Sequence, residues 1–74
     1  MKSDLIFRYV IKHKTKGYFN GYNGFGTLYI TDITHARLID SLENAKEYIE
    51  LLNEKKHLSI LKISMDIEEV KWGI

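Results

Sequence analysis

The chain contains no cysteine, and its histidines and acidic residues are not spaced as metal ligands are. A protein of 74 residues therefore lacks both the disulfides and the structural metal that usually stabilise domains of this size. Such a domain buries only about 60% of its unfolded surface. We expect one domain over residues 1–74, with a thin core, no metal or other cofactor, and a tendency to form a homodimer.

Long apolar runs are also absent, because no segment approaches the roughly 18 residues of a membrane span. Residues 1–5 lead into a predicted strand rather than into the apolar segment of a signal peptide. The absence of cysteine fits a reducing compartment. The sequence therefore predicts a cytoplasmic protein without a membrane partner.

Catalytic motifs are missing as well. His13, His35 and His57 are scattered, and none of the serines lies in a Gly-x-Ser-x-Gly motif. Glu68 and Glu69 are neighbours on a predicted strand, so they point to opposite faces and cannot share acid and base duties. We expect a protein that is not an enzyme.

Charge is unevenly distributed although the net charge is +1. Residues 1–37 carry six basic and two acidic residues, a charge of +4, whereas residues 38–74 carry five lysines and eight acids, a charge of −3. This asymmetry is compatible with a basic face for an anionic partner or with an ordinary solvated surface.

The order of elements follows from hydrophobic periodicity. Alternation over residues 5–12 predicts a strand, and the charged segment 13–17 predicts a hairpin turn into a return strand. Residues 27–30 resume an extended pattern, and residues 37–39 form a short apolar piece. Alternation over residues 61–67 and 70–74 predicts one or two final strands.

The helix is predicted from a capping signal and a periodic apolar face. Asp40 followed by Glu43 resembles a capping box, and Ser41 is an alternative cap. The residues predicted to share the apolar face are Leu42, Ala45, Ile49 and Leu52, with Tyr48 at its margin.

These elements predict an α+β domain, with a mainly antiparallel sheet of four to five strands and one α-helix packed on one face. One helix covers only part of such a sheet. The other face is then either polar or buried against a partner, and Ile6, Val10 and Ile60 favour burial.

Residues 17–26 contain four of the five glycines together with four aromatic residues. We expect a flexible loop that interrupts the return strand and buries rings poorly, whereas Tyr18 and Tyr29 complete the core. The glycine order Gly-x-x-Gly-x-Gly reverses that of a dinucleotide site, so no phosphate cradle is predicted. The predicted partner-binding residues are Tyr22, Phe25, Asn23, Phe19, Lys14 and Lys16.

An alternative interpretation makes the same region a stacking platform for single-stranded nucleic acid. Residues 16–22 match the first three positions of an RNA-recognition signature but depart from it at the fourth, fifth and sixth, and that family has two helices. The platform would comprise Tyr18, Phe19, Tyr22, Phe25 and Tyr29 with Lys12, Lys14 and Lys16.

Several short motifs follow one another along most of the chain. They are Tyr-Val-Ile-Lys at residues 9–12, Gly-Tyr-Phe-Asn-Gly at 17–21, Thr-Asp-Ile at 31–33, Ala-Arg-Leu-Ile at 36–39, Ser-Leu-Glu-Asn-Ala at 41–45 and Tyr-Ile at 48–49. In this layout the chain resembles small phage and prophage proteins of low-GC Gram-positive bacteria. Leu38 and Ile39 stand where that group usually has an aromatic, and residues 21–26 look like an added decoration.

The resemblance implies a strand-strand-strand-helix-strand architecture and a phage-like origin, and its motifs carry no active site. Together with the loop aromatics, it leads us to expect a small protein-binding module. Such a module would inhibit or modulate a host protein, for example a defence enzyme, in the bacterial cytoplasm.

Overall fold

A computed structural model describes residues 3–68 of the chain. In these residues four strands, one α-helix and two short 3₁₀ helices follow one another. The elements are β1 (Ser3–His13), β2 (Gly17–Asn23), β3 (Gly26–Ile30), a 3₁₀ helix at Ile33–His35, α1 (Leu42–Leu51), a 3₁₀ helix at Lys55–His57, and β4 (Leu58–Glu68). The predicted strand at residues 70–74 lies outside the described residues.

The strands form one antiparallel sheet in the order β3-β2-β1-β4, with α1 packed on one face. The predicted α+β architecture is therefore confirmed, with four strands among the described residues. The central strand β1 pairs with β4 over eleven consecutive positions, from Ser3 opposite Glu68 to His13 opposite Leu58. Both strands have apolar residues at every second position over most of their length, the pattern of an extended strand with one buried face.

The pairing between β1 and β2 is short, and the apolar piece at residues 37–39 fills the gap beyond it. β1 and β2 pair only next to their turn, at Lys12 opposite Tyr18 and His13 opposite Gly17. Farther along, the N–H of Arg37 donates to the carbonyl of Phe19 at 2.9 Å. Tyr9 and Ile39 then exchange two backbone hydrogen bonds of 2.9 and 2.8 Å. This piece therefore satisfies backbone groups that β2 leaves free as it diverges from β1.

The helix is capped by Ser41, the second of the two predicted caps. The Ser41 hydroxyl accepts a hydrogen bond from the backbone N–H of Asn44 at 3.1 Å. Asp40 lies outside the helix, and its carboxylate is 3.7 Å from the Arg8 guanidinium. The capping-box prediction for Asp40 and Glu43 is therefore wrong, because the helix begins one residue later.

The core lies between α1 and the face of the sheet formed by odd-numbered residues of β1. Its buried members are Ile11, Phe19, Ile39, Ala45 and Leu52, and Tyr9, Tyr29, Tyr48, Ile49, Leu58 and Ile60 pack against them. The apolar face predicted for the helix is confirmed except at Leu42, which is exposed. Ile60 belongs to this core, so its predicted place on the other face is wrong.

The other face of the sheet carries the even-numbered residues of β1 and the odd-numbered residues of β4. Val10 is buried there, whereas Ile63 and Met65 are half-buried. Beyond the helix, β1 and β4 continue as a two-stranded ribbon in which Leu5 and Ile67 are exposed. The molecule is accordingly elongated, with extents of 50 × 23 × 20 Å.

Candidate functional hairpin tip

The glycine-rich stretch is a tight hairpin that continues the return strand, and not a loop that interrupts it. β2 and β3 pair up to Asn23 opposite Gly26, so only Gly24 and Phe25 form the turn. The side-chain oxygen of Asn23 accepts the N–H of Phe25 at 2.8 Å, and Gly26 has a positive φ of 125°. The loop prediction was wrong because a local hydrogen bond and one glycine suffice to close this turn.

We call residues 22–27 the hairpin tip. Phe25 projects from it into solvent, with an exposed fraction of 101%, and Tyr22 is 50% exposed. The ring of Tyr22 meets the ring of Phe19 edge-on, with centroids 5.5 Å apart. Since Phe19 is completely buried, it holds the inner edge of Tyr22 in place while the outer part of that ring faces water.

A β-bulge in β2 sets the direction of Tyr22. Phe19 lies opposite Tyr29, but Gly21 already lies opposite Leu28, so Asn20 is an extra residue. This extra residue places Tyr22 on the same face as Phe19. The Asn20 side chain donates to the carbonyl of His35 at 2.7 Å, which fixes the bulge against the 3₁₀ helix.

A cleft of about 220 Å³ lies beside the hairpin tip, lined by Lys16, Phe25, Gly26, Thr27, Tyr29, Asn53 and Glu54. The Lys16 ammonium donates to the Glu54 carboxylate at 2.9 Å. That hydrogen bond raises the pKa of Lys16 and lowers the pKa of Glu54. Both residues line the cleft, and Glu54 already balances the charge of Lys16 there.

His13 lies beneath this ion pair and stabilises the turn between β1 and β2. Only 3% of the residue is exposed. Its Nδ1 accepts the backbone N–H groups of Thr15 and Lys16, both at 3.1 Å. Nε2 therefore carries the ring proton and donates to Glu54 at 3.2 Å. Both ring nitrogens are engaged, so His13 offers no free base to a substrate.

A separate basic groove lies on the other side of the same turn. This groove, of about 400 Å³, is lined by Lys12, Lys14, Lys56, His57, Leu58 and Ser59. The N–H of Lys14 donates to the carbonyl of His57 at 2.8 Å, which joins its two walls. No acidic residue is among these lining residues, so the groove attracts anions.

The six predicted partner-binding residues lie in four different places in the structure. Tyr22, Asn23 and Phe25 form the hairpin tip, and Lys16 lines the cleft beside it. Lys14 lines the basic groove, which shares no lining residue with that cleft. The prediction for Phe19 is wrong, because this ring is completely buried and presents no surface to a partner.

Sequence reasoning missed Glu54 and Lys56. Glu54 reaches the cleft because its backbone adopts the left-handed conformation, with a φ of 61°. Lys56 joins Lys12 and Lys14 because the second 3₁₀ helix ends next to the β1–β2 turn. Neither placement has a periodic signal, since both depend on contacts between distant parts of the chain.

Residues 3–68 contain neither a cluster of metal ligands nor a membrane-spanning helix. In this part of the chain no group of three or more potential metal ligands lies together, and no helix is long and apolar enough to cross a membrane. Comparison of the chain with protein-family models, curated proteins and solved structures finds no match.

Proposed function

We propose that this protein is a non-catalytic protein-binding module and that the hairpin tip is its contact surface. The observation that carries the proposal is the full exposure of Phe25 at the apex of a well-defined hairpin. Apolar rings of this size are normally buried, and exposed rings on a rigid support are typical binding anchors.

Two local contacts that hold the hairpin tip in place support this role. Tyr22 rests on the buried ring of Phe19, and the Asn23 side chain holds the backbone N–H of Phe25. A preorganised surface loses little conformational entropy when it binds. Phe25 would insert into an apolar pocket of the partner, and the Tyr22 hydroxyl would stay near the polar rim.

Electrostatics next to the hairpin tip favour a protein over a polyanion there. Lys16, the basic residue that lines the adjacent cleft, is paired with Glu54. A balanced ion pair beside two aromatic rings suits the mixed apolar and polar surface of a protein partner.

The partner is proposed to be a host protein, such as a defence enzyme, that the module inhibits or modulates. The resemblance of the motif order to small phage proteins supports this part of the proposal. A phage-encoded accessory protein would act in the cytoplasm of the bacterial host. His13, with both ring nitrogens engaged, is consistent with an action by binding alone.

The test is capture of a partner from nuclease-treated bacterial lysate, followed by titration with the purified partner. We expect the Tyr22→Ala/Phe25→Ala double variant to lose at least about tenfold in affinity. The matched control is Leu51→Ala, an exposed apolar residue outside the hairpin tip, which should bind like the wild type. Equal affinity of the double variant, or a fall in its thermal midpoint that matches the loss of binding, would contradict the proposal.

A second function, binding of single-stranded nucleic acid, is favoured by one observation, the basic groove. Three lysines there would release about three counterions, so affinity should fall about twentyfold between about 50 and about 200 mM salt. Titration of a labelled oligonucleotide with wild-type protein and with the Lys12→Gln/Lys14→Gln/Lys56→Gln variant tests this. Undetectable binding at low salt would eliminate this alternative.

A further inference from the structure

The outer edge of β4 is open over its whole length among the described residues. β1 pairs with one side of this strand, and no strand of residues 3–68 pairs with the other. Natural proteins usually protect such edges with proline, a bulge or several charges. Leu58–Glu68 contains no proline, pairs with β1 without a register break, and carries three charged residues of both signs, Lys62, Asp66 and Glu68. The edge is therefore suited to pairing with another strand.

The hydrogen bonds of β1 show which residues of β4 face this edge. Tyr9 exchanges its backbone hydrogen bonds with Ile39, away from β4, so the even-numbered residues of β1 bond to β4. The register places an odd-numbered residue of β4 opposite each of them, for example Leu61 opposite Val10. The even-numbered residues of β4 therefore direct their N–H and C=O groups outward.

We propose that β4 pairs antiparallel with β4 of a second copy of the chain, about a twofold axis at Ser64. Ser64 then lies opposite itself, and each Lys62 lies opposite Asp66 of the second copy. This pairing joins even-numbered residues to even-numbered residues, as the outward backbone groups require. Opposite charges directly across two strands stabilise the pair, and the symmetry provides this contact twice.

The other face of the paired strands is apolar throughout. In the same register Leu61 lies opposite Ile67 of the second copy, and Ile63 lies opposite Met65. Ile63 and Met65 already line a shallow apolar groove of about 330 Å³ together with Ile33, Thr34 and Leu38. The two grooves would become continuous across the axis, which reduces the apolar surface exposed by each copy.

Neighbouring registers fit less well. An axis at Lys62 would place two like charges opposite each other, which is destabilising. An axis at Ile63 would place the charged Asp66 opposite the apolar Ile60, which gives Asp66 no partner of opposite charge. An axis at Met65 would place Asp66 opposite Ser64 and would shorten the paired segment. The axis at Ser64 is the arrangement that matches charged with charged and apolar with apolar residues from Leu61 to Ile67.

Pairing would also support the ribbon formed by the far ends of β1 and β4. A two-stranded ribbon is marginally stable by itself in water. The second copy adds two more strands beside it, so residues 60–68 gain a partner on both sides. This interface lies at the opposite edge of the sheet from β3, and it does not depend on the function proposed for the hairpin tip.

Single cysteines test the register, because the chain has no cysteine of its own. In the proposed dimer the two copies of residue 64 have Cα atoms about 5.5 Å apart, within the range of a disulfide. The two copies of residue 59 would be about 34 Å apart. We expect Ser64→Cys to form a disulfide-linked dimer at least about tenfold faster than the exposed control Ser59→Cys under mild oxidation.

Charge exchange provides a second test by sedimentation equilibrium. Lys62→Asp should weaken the dimer by about tenfold, because two attractive pairs become repulsive, and adding Asp66→Lys should restore it. Circular dichroism checks that each variant is folded. A monomer at every concentration, equal oxidation rates of the two cysteine variants, or no recovery in the double variant would overturn the proposal.

Discussion

Replacing His13 by alanine should destabilise the fold strongly, although the residue belongs to a turn. The substitution removes the acceptor for two backbone N–H groups, each worth about 1 kcal/mol. It also empties the space of a ring that is 3% exposed and contacts the rings of Tyr29 and His57, at a cost of about 2 kcal/mol. Thr15 and Lys16 are exposed, so water rehydrates part of the turn. We expect a loss of about 3 kcal/mol in the free energy of unfolding.

This loss is large for a domain of this length, whose total stability is about 4 to 11 kcal/mol. The assay is urea denaturation followed by far-UV circular dichroism, with His13→Asn and His13→Gln beside the alanine variant. The Asn side-chain oxygen can replace Nδ1 in accepting the two N–H groups, whereas Gln reaches only towards Glu54. Asn should therefore retain more stability than Gln.

Two results would refute this reasoning about His13. One is a loss of less than about 1 kcal/mol in the alanine variant, which would mean that the buried ring and its hydrogen bonds contribute little. The other is a Gln variant at least as stable as the Asn variant. That order would assign the stabilisation to the contact with Glu54 instead of to the turn.

Two further predictions concern a glycine and a carboxylate. Gly17→Ala should cost at least about 2 kcal/mol, because φ is +103° and the new Cβ would clash with the Ile30 carbonyl oxygen. Gly24→Ala, with open space around it, should change stability by less than about 0.5 kcal/mol, and urea denaturation compares the two. The folded state lowers the pKa of Glu54 mainly through its hydrogen bond from Lys16, so this stabilisation is present above pH 4.5 and is lost as the pH falls below it. Thermal midpoints from neutral pH to about pH 3 should fall less steeply for Glu54→Gln than for the wild type or Glu47→Gln, and parallel curves would contradict this.

The contrast between the buried Phe19 and the exposed Tyr22 shows where sequence reasoning failed. Phe19 and Tyr22 belong to one glycine-rich stretch, and both were predicted as contacts. Phe19 is buried because it pairs with Tyr29 under the helix, whereas Tyr22 lies beyond the bulge at Asn20. A bulge is a single extra residue fixed by a partner far along the chain, here the carbonyl of His35. No periodic pattern within the stretch encodes it.

Local patterns in the sequence determined the types of the main elements. Alternation sufficed for β1 and β4, because the period of two follows from strand geometry at each residue. The apolar spacing at Ala45, Ile49 and Leu52 sufficed for the helix and its buried face. The exposure of Tyr22 and Phe25 was also predicted, but from a flexible loop that buries rings poorly, whereas the structure exposes both rings on a tight hairpin.

Only the tertiary structure decided which distant parts of the chain contact each other. The Arg37–Ile39 piece enters between β1 and β2 because β2 diverges there and leaves backbone groups to be satisfied. Lys14 and Lys16 separate into two clefts because Glu54 approaches one side of the turn and Lys56 the other. Each of these outcomes depends on residues distant in sequence, whose meeting is fixed by packing and hydrogen bonding across the whole fold and by no local preference.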